Sequence, residues 1–476
     1  MTPEHEGVAS LVMTARSGLP PRRKAGKPPV HHPRVLIAGG GVASLEALLA
    51  LRALLEGRPA IEIVAPSGEF VFRPLAVGEP FWLSEARRLD LEAIAREHAA
   101  HLRLGAVDIV QPDRATVVLQ DGTELPYDAL VIAIGARSVT WLGGAVSFAG
   151  SRDSRAIANI LSELEEGRIE RIAFAAPPAM GWPLPLYELA LLTEAHTARN
   201  GVDVELTIVT PEHEPLEAFG PAGVRLLREL LAERGIALRP GATAERLQGG
   251  RLLLVGGDSV AADRVIALAG IEGRPLPGIP SDPAGFIPVD EHCRVAGLEG
   301  VWAAGDNISF PVKQGGLATQ QADAAAEDIA AVFGAALEPA PFRPVLRAQL
   351  LTGEAPVYLS SGASGRSAAG FSPLFSPQSK IAGRYLGPYL DGRRHPGRPE
   401  VLTDIEPPSA DLATQLAEEE EARELLLTLA GGAAHFGDER TARQYREAVE
   451  HIDGTFAAGG HTPQSKRTVK RPPGRS

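Results

Sequence analysis

Short runs of consecutive apolar residues that stop at glycine punctuate the chain; strict alternation is rare. Arg34–Ala38 (RVLIA) runs into Gly39-Gly40-Gly41, an apolar helical stretch follows from Leu45 to Leu55, and a second short run spans Ile61–Val64. Runs of this length fit strands buried on both faces, and the strand–helix–strand order predicts a parallel βαβ unit. Leu130–Ile134 predicts another strand, ending at Gly135. From Ile172 the pattern restarts with strand Ile172–Ala176, helix Leu184–Thr197 and strand Val204–Val209. A third passage predicts strands at Val265–Leu268 and Val301–Ala304, then a helix at Gly316–Phe333.

Two such openings predict an α/β protein with two Rossmann-like, doubly wound domains and a C-terminal capping region. A length of 476 residues leaves room for two or three cores. The pattern places a disordered tail at 1–33, a first domain in two parts (34–150 and 285–335), and a second domain (151–284) between them. After Glu338 the composition turns to Pro, Gly, Ser and aromatic residues, which predicts a capping region over 336–400 with short strands around Val357–Leu359 and Lys380–Tyr385. Residues 401–476 read as a charged helical extension and tail, with the run Glu418–Glu421 on a solvated helix face.

A formal net charge of −12 argues against a general nucleic-acid binder. The single cysteine, Cys293, excludes an intramolecular disulfide, a CxxC redox pair and a cysteine-rich zinc site; a small buried residue is expected there. No run of about 18 apolar residues predicts a membrane span, and Arg22-Arg23 lacks the apolar stretch of an export signal. These readings predict a cytoplasmic protein, at most peripheral at the inner membrane face; a homodimer is compatible with them.

The candidate chemistry begins at Gly39-x-Gly41-x-x-Ser44, between a strand and a helix. The first glycine permits the tight turn, the second lets backbone approach a pyrophosphate, and a small third residue lets helix and strand pack. The amides of Val42, Ala43 and Ser44 would receive the phosphates, where the helix dipole favours anions. The acidic residue expected about 20 positions on, which would hold a ribose, is absent: Ala65 stands there, flanked at a distance by Glu62 and Glu69. Downstream, Val301-Trp-Ala-Ala-Gly305-Asp306 puts a carboxylate at the carboxyl edge of a parallel sheet, able to accept hydrogen bonds from sugar-like hydroxyls.

Taken with Tyr127–Gly135, these motifs resemble the paired FAD motifs of pyridine nucleotide-disulfide oxidoreductase relatives over roughly residues 34–335. The resemblance implies FAD, with Asp306 on the ribityl chain and the Gly135 segment lining the cofactor. Phe70-Val-Phe72-Arg73-Pro74 looks like the F-x-F-x-P loop of type II NADH dehydrogenases and sulfide:quinone oxidoreductases, which implies a place for Arg73 and Pro74 near the isoalloxazine; an ordinary apolar loop reads the same way. Lys313-Gln-Gly315-Gly316-Leu-Ala318-Thr-Gln320-Gln321 resembles the quinone-site helix of the same enzymes, although Gly315 and Gly316 replace its first Ala-Gln. A helix starting there would direct its dipole, and Lys313, at the flavin pyrimidine. Gln320 then faces the acceptor, or is simply polar on a helix surface.

Tyr187-Glu188-Leu-Ala resembles the Val-Glu-Leu-Ala helix start of the NADH dehydrogenases, where Glu188 would face flavin and substrate; alternatively it is an exposed first-turn acid. The second βαβ turn reads Ala175-Ala-Pro177-Pro178-Ala-Met-Gly181-Trp182-Pro183, and its prolines lack amide donors for a pyrophosphate. The function implied is an FAD-dependent oxidoreductase passing electrons from a reduced donor, with NAD(P)H a candidate, to a quinone-like acceptor. Two other readings stay open. One is a sulfide:quinone oxidoreductase-like enzyme without redox cysteines; the other is a low-turnover flavin-binding regulator.

Overall fold

A computed structural model describes residues 32–56, 59–179, 181–362, 367–393 and 402–405. The expected N-terminal tail and the charged extension with Glu418–Glu421 lie outside these, apart from a short stretch at 402–405. In chain order the elements that position the site are β1 (Arg34–Ala38), α1 (Val42–Leu55), β2 (Ala60–Ala65), β3 (Glu69–Phe72), β4 (Ala100–Leu104) and β5 (Ala129–Ile132). Then come β6 (Val146–Phe148), β7 (Arg171–Ala175), α2 (Leu184–Asn200), β8 (Glu205–Val209), β9 (Ala237–Arg239) and β10 (Arg264–Leu268). The chain returns with β11 (Val301–Ala303) and α3 (Gly315–Val332), and continues with β12 (Leu346–Leu350), β13 (Val357–Ser361), β14 (Ser367–Gly370) and α4 (Leu386–Gly392).

The first sheet is fully parallel in the order β11-β5-β1-β2-β4. From the central β1 the chain winds outward through β2 and β4, then returns on the other side with β5 and β11. That reversal makes the carboxyl edge between β1 and β5 a topological switch point, where open α/β sheets bind ligands. Strand β1 is buried from Val35 onward, as a run with no alternation requires. Helices α1 and α3 cover one face and pack on each other. Alanines 322, 325, 326 and 330 of α3 are buried in this layer with Leu45, Leu48 and Leu51 of α1. Small side chains bring the two axes close, so both helix N-termini reach the same sheet edge.

The second sheet, β6-β10-β7-β8-β9, is also five-stranded and parallel. Its edge strand Val146–Phe148 pairs with β10, so this domain begins before the boundary at residue 151 expected from the pattern. An antiparallel ribbon, Arg137–Val139 against Gly270–Glu272, carries the chain across and back. The C-terminal region forms a three-stranded antiparallel sheet, β12-β13-β14.

One expected strand is corrected. Residues Lys380–Tyr385 pair with no strand among the described residues; they form an irregular strap that leads into α4. Its hydrogen-bond acceptor is a side chain: the amides of Tyr385 and Leu386 donate to the two carboxyl oxygens of Glu46 on α1, each at 2.7 Å. Gly383 passes so close that a Cβ there would lie 2.7 Å from Glu46 Oε2 and 2.8 Å from Thr319 Cγ2.

Substituting Gly383→Ala is therefore expected to lift the strap off α1 and α3, at a cost of about 1–3 kcal/mol from overpacking. The check is a lowered thermal midpoint together with faster proteolysis within 379–386; an unchanged midpoint would contradict the packing described.

Candidate functional site

Three chain segments meet at the carboxyl edge of the first sheet. The turn after β1 passes directly under the end of β5. Gly39 has φ of +128°, and a Cβ on it would sit 2.1 Å from the Ala133 carbonyl oxygen, so no other residue fits. The Gly39 amide donates to Val64 O, and the Ala133 amide to Ala38 O, each at 2.7 Å. Gly41 caps α1 in extended conformation, with nothing within 4 Å of where its Cβ would be. The first turn of α1, starting with Val42, Ala43 and Ser44, holds no acid to neutralise its dipole. The buried Ser44 hydroxyl has no hydrogen-bond partner among the described residues.

The turn after β11 fits into the same corner. Gly305 (φ +87°) wedges between the helices, with its Cβ position 3.3 Å from Ala43 Cβ and 3.7 Å from Ala318 Cβ. Its amide donates to Gln321 Oε1 at 2.8 Å, so α3 holds the Ala-Gly-Asp turn in place. Asp306 makes no hydrogen bond with any described residue. Burial raises its pKa, while the nearby Lys313 and Arg73 draw it down. Arg73 is exposed at the start of the 3-10 run Arg73–Phe81 and is followed by Pro74; Phe70 and Phe72 are core residues of β3. Gly135 (φ +66°) follows β5 and has open space on its side-chain position. Ala65 is buried at the end of β2, and its carbonyl accepts from the Gly105 amide at 2.9 Å. Glu62 is ion-paired with Arg103 and Glu69 with Arg88, so neither supplies the missing ribose acid.

On the far side of this corner Lys313 donates from Nζ to Ile308 O and lies 3.8 Å from the centroid of the Phe286 ring. Burial lowers its pKa to about 8, against the upward pull of Asp306 and Asp282. Gln314 caps α3, accepting from the Leu317 amide at 2.8 Å, and the first turn of α3 also lacks an acid. Gly315 lies against the strap: its Cβ would meet Ile381 Cδ1 at 2.8 Å. Gly316 is buried beside it.

Two sequence candidates have firm structural partners. Glu188 is not an exposed first-turn acid: it is buried, accepts from the Leu351 amide at 2.8 Å and pairs with the buried Lys380 ammonium. Burial pushes the Glu188 carboxyl up and the Lys380 ammonium down, and each partner opposes that push. Gln320 acts as a clamp in the fold. Its amide nitrogen donates to Gly316 O and Val345 O, and its oxygen accepts from the Val345 amide, which ties α3 to the approach of β12.

Sequence reasoning missed a coupled acid pair. The buried Glu46 of α1 faces the half-buried Asp323 carboxyl of α3, with Glu327, Arg384 and Tyr385 acting on the same spot. Burial raises Glu46 to about 7; burial and then the Glu46 charge raise Asp323 well above the carboxylate range. A lone acid inside the apolar run of α1 was the signal available. Cys293 is buried in a left-handed turn (φ +61°), and burial raises its thiol to about 12, so no thiolate forms at neutral pH. Among the described residues no group of three His, Cys, Asp or Glu is placed to hold a metal, and no helix is long and apolar enough to cross a membrane.

Residues 188–327 match the pyridine nucleotide-disulphide oxidoreductase family. The chain is 26% identical over 326 residues to the ferredoxin reductase component of chlorobenzene dioxygenase from Cupriavidus sp. (strain PS12), covering 64% of this chain and 74% of that one. It is 26% identical over 296 residues to an NADH dehydrogenase-like protein of Mycobacterium tuberculosis (strain CDC 1551 / Oshkosh), covering 57% and 72%. The crystal structure of sulfide:quinone oxidoreductase from Aquifex aeolicus superposes with a TM-score of 0.63 at 18% identity, covering 71% of this chain and 87% of that one. At that identity the likeness is one of fold.

A carboxyl whose folded pKa is raised stabilises the protein fully below its unfolded value, and that contribution is lost as pH rises through the folded value. The thermal midpoint is thus expected to fall as pH rises through about 7. Asp323→Asn puts a neutral amide of the same size beside Glu46 and removes the like charge, so the fall should flatten. A slope identical to wild type, read from melting curves across that range, would exclude the acid pair as its source.

Proposed function

We propose that this chain, which belongs to the pyridine nucleotide-disulphide oxidoreductase superfamily, binds FAD at the carboxyl edge of its first sheet. There it passes electrons from a reduced donor to a quinone-like acceptor. The observation that carries the reading is the half-buried Asp306 carboxylate, without a hydrogen bond among the described residues, beside an open glycine turn and a helix N-terminus. That set suits a ligand bringing hydroxyls and a diphosphate together. Gly39, Gly41 and the amides of Val42, Ala43 and Ser44 would hold the diphosphate, with the Ser44 hydroxyl a free polar group beside it. Asp306 would accept from the ribityl hydroxyls and Gly305 would keep the approach clear. Ala65 leaves the ribose to backbone groups.

Once bound, FAD supplies a carrier able to take electrons from one molecule and pass them to another. The chain's own part is electrostatic and steric. Lys313 and the N-terminus of α3 at Gly315–Gly316 set a positive field on one side of Asp306, which favours negative charge on the pyrimidine edge. Arg73, which also draws on Asp306, and Pro74 would lie near the ring system, and Gly135 would leave room for it near the second domain. The strap and the Glu188–Lys380 pair stand on the side of the C-terminal sheet, where the acceptor would dock. Cys293 is the only cysteine, so no protein disulfide takes part.

Purified protein is expected to carry FAD, and Asp306→Ala to weaken it by roughly ten- to a hundredfold, the scale of a hydrogen bond to a charged group. Anaerobic absorbance titration with NADH, NADPH and sulfide in turn identifies the donor. Reoxidation by a short-chain quinone then checks the acceptor class. A colourless protein that cannot be reconstituted with FAD would overturn the reading.

A further inference from the structure

The second sheet is wound like a dinucleotide-binding domain: β7 is central, α2 follows it and β8 lies beside it. A dinucleotide on such a domain needs free amides at the helix start, an open turn, and an acceptor for the ribose at the end of the second strand. Each of the three is taken here. Pro177 and Pro178 stand in the turn, Pro183 caps α2 and Pro185 lies in its first turn, so four amide donors are missing. The Leu186 amide already donates to Pro183 O at 2.9 Å.

The turn is also docked rather than open. Gly181 O accepts from the Lys313 amide at 2.9 Å, and a Cβ on Gly181 would lie 2.7 Å from Lys313 Cγ. Trp182 beside it meets Phe219 edge-on, with ring centroids 5.7 Å apart. Beyond the end of β8, the buried Thr210 and Glu212 are closed by a tyrosine from α2. The Tyr187 hydroxyl donates to Glu212 Oε2 at 2.5 Å, and Thr210 Oγ1 donates to the same oxygen at 3.1 Å. Tyr187 is fully buried. Burial also raises Glu212 to about 7, which makes it a poorer acceptor for a sugar hydroxyl at neutral pH.

We infer that Tyr187, Glu212 and the prolines of this turn close the second domain to pyridine dinucleotides. The electron donor is then a small non-nucleotide reductant that enters the cleft bordered by the docked turn, Lys313 and Phe286. That cleft, of about 400 Å³, is lined by Ala179, Gly181, Ile271, Phe286, Phe310 and Lys313. It lies at the small end of ligand sites, which run from about 300 to 1,000 Å³. The donor's role rests on the flavin reading above; the exclusion of dinucleotides concerns the second domain alone.

The test titrates the purified full chain with NADH and with NADPH, following nucleotide fluorescence and, anaerobically, the flavin band. No saturation is expected up to about 1 mM, the upper end of usual Michaelis constants, and neither nucleotide should bleach a flavin that dithionite does bleach. Saturable binding in that range, or bleaching, overturns the inference. The variant Pro177→Gly, Pro178→Gly, Tyr187→Phe should gain measurable NADH binding. No gain in a variant that keeps the wild-type thermal midpoint would overturn the assignment to these residues. Nucleotide fluorescence needs no flavin, so a protein without FAD would defeat the preceding reading and leave this one to be judged on its own.

Discussion

At the carboxyl edge of the first sheet, backbone must approach backbone more closely than a side chain permits. Gly39 lies under the end of β5 with no room for a Cβ, and Gly305 separates α1 from α3 by little more than contact distance. The alanine-rich face of α3 repeats the condition over several turns. Relaxing any of these contacts would move two helix N-termini and one carboxylate relative to each other. Held together, they form a corner with polar groups that have no hydrogen-bond partner among the described residues: the Ser44 hydroxyl and the Asp306 carboxylate.

Buried charges connect the remaining layers. Glu46 holds the two amides at one end of the strap, and Glu188 holds Lys380 at the other. A buried ion pair is weak evidence of net stability, since desolvation opposes the Coulomb attraction. Its value here is positional: breaking one partner leaves an uncompensated charge, so the strap has a single place to lie. Ile381, between the two anchors, is thereby set against Gly315.

Much of this was legible in the sequence because it rests on local pattern. Strand β1 has the limits that its apolar run predicts, and the other strands expected in the two parallel sheets differ by a residue or two. Helix α1 begins earlier than expected, at Val42, because its first turn is small rather than strongly apolar. The glycine turn and the Ala-Gly-Asp turn stand where the spacing puts them. What the sequence could not show was pairing at a distance. Tyr187 and Glu188 are neighbours on one helix, yet one meets Glu212 and the other Lys380. The strap misled because apolar residues beside glycine and lysine look like an edge strand, whereas Glu46 replaces the neighbouring strand as acceptor.

The order of strands in the first sheet bears on how the chain reaches this state. Strand β11 completes the edge beside β5, but Val301 is synthesised only after the whole second domain has been made. At about 5–20 residues per second, β5 waits on the order of ten seconds with an apolar edge unpaired. An uncovered edge of that kind invites pairing with another chain. The inserted domain, whose own five strands are contiguous in sequence, can close meanwhile. A nascent chain stalled within it would therefore expose a half-built sheet, with the β5 edge still waiting for β11.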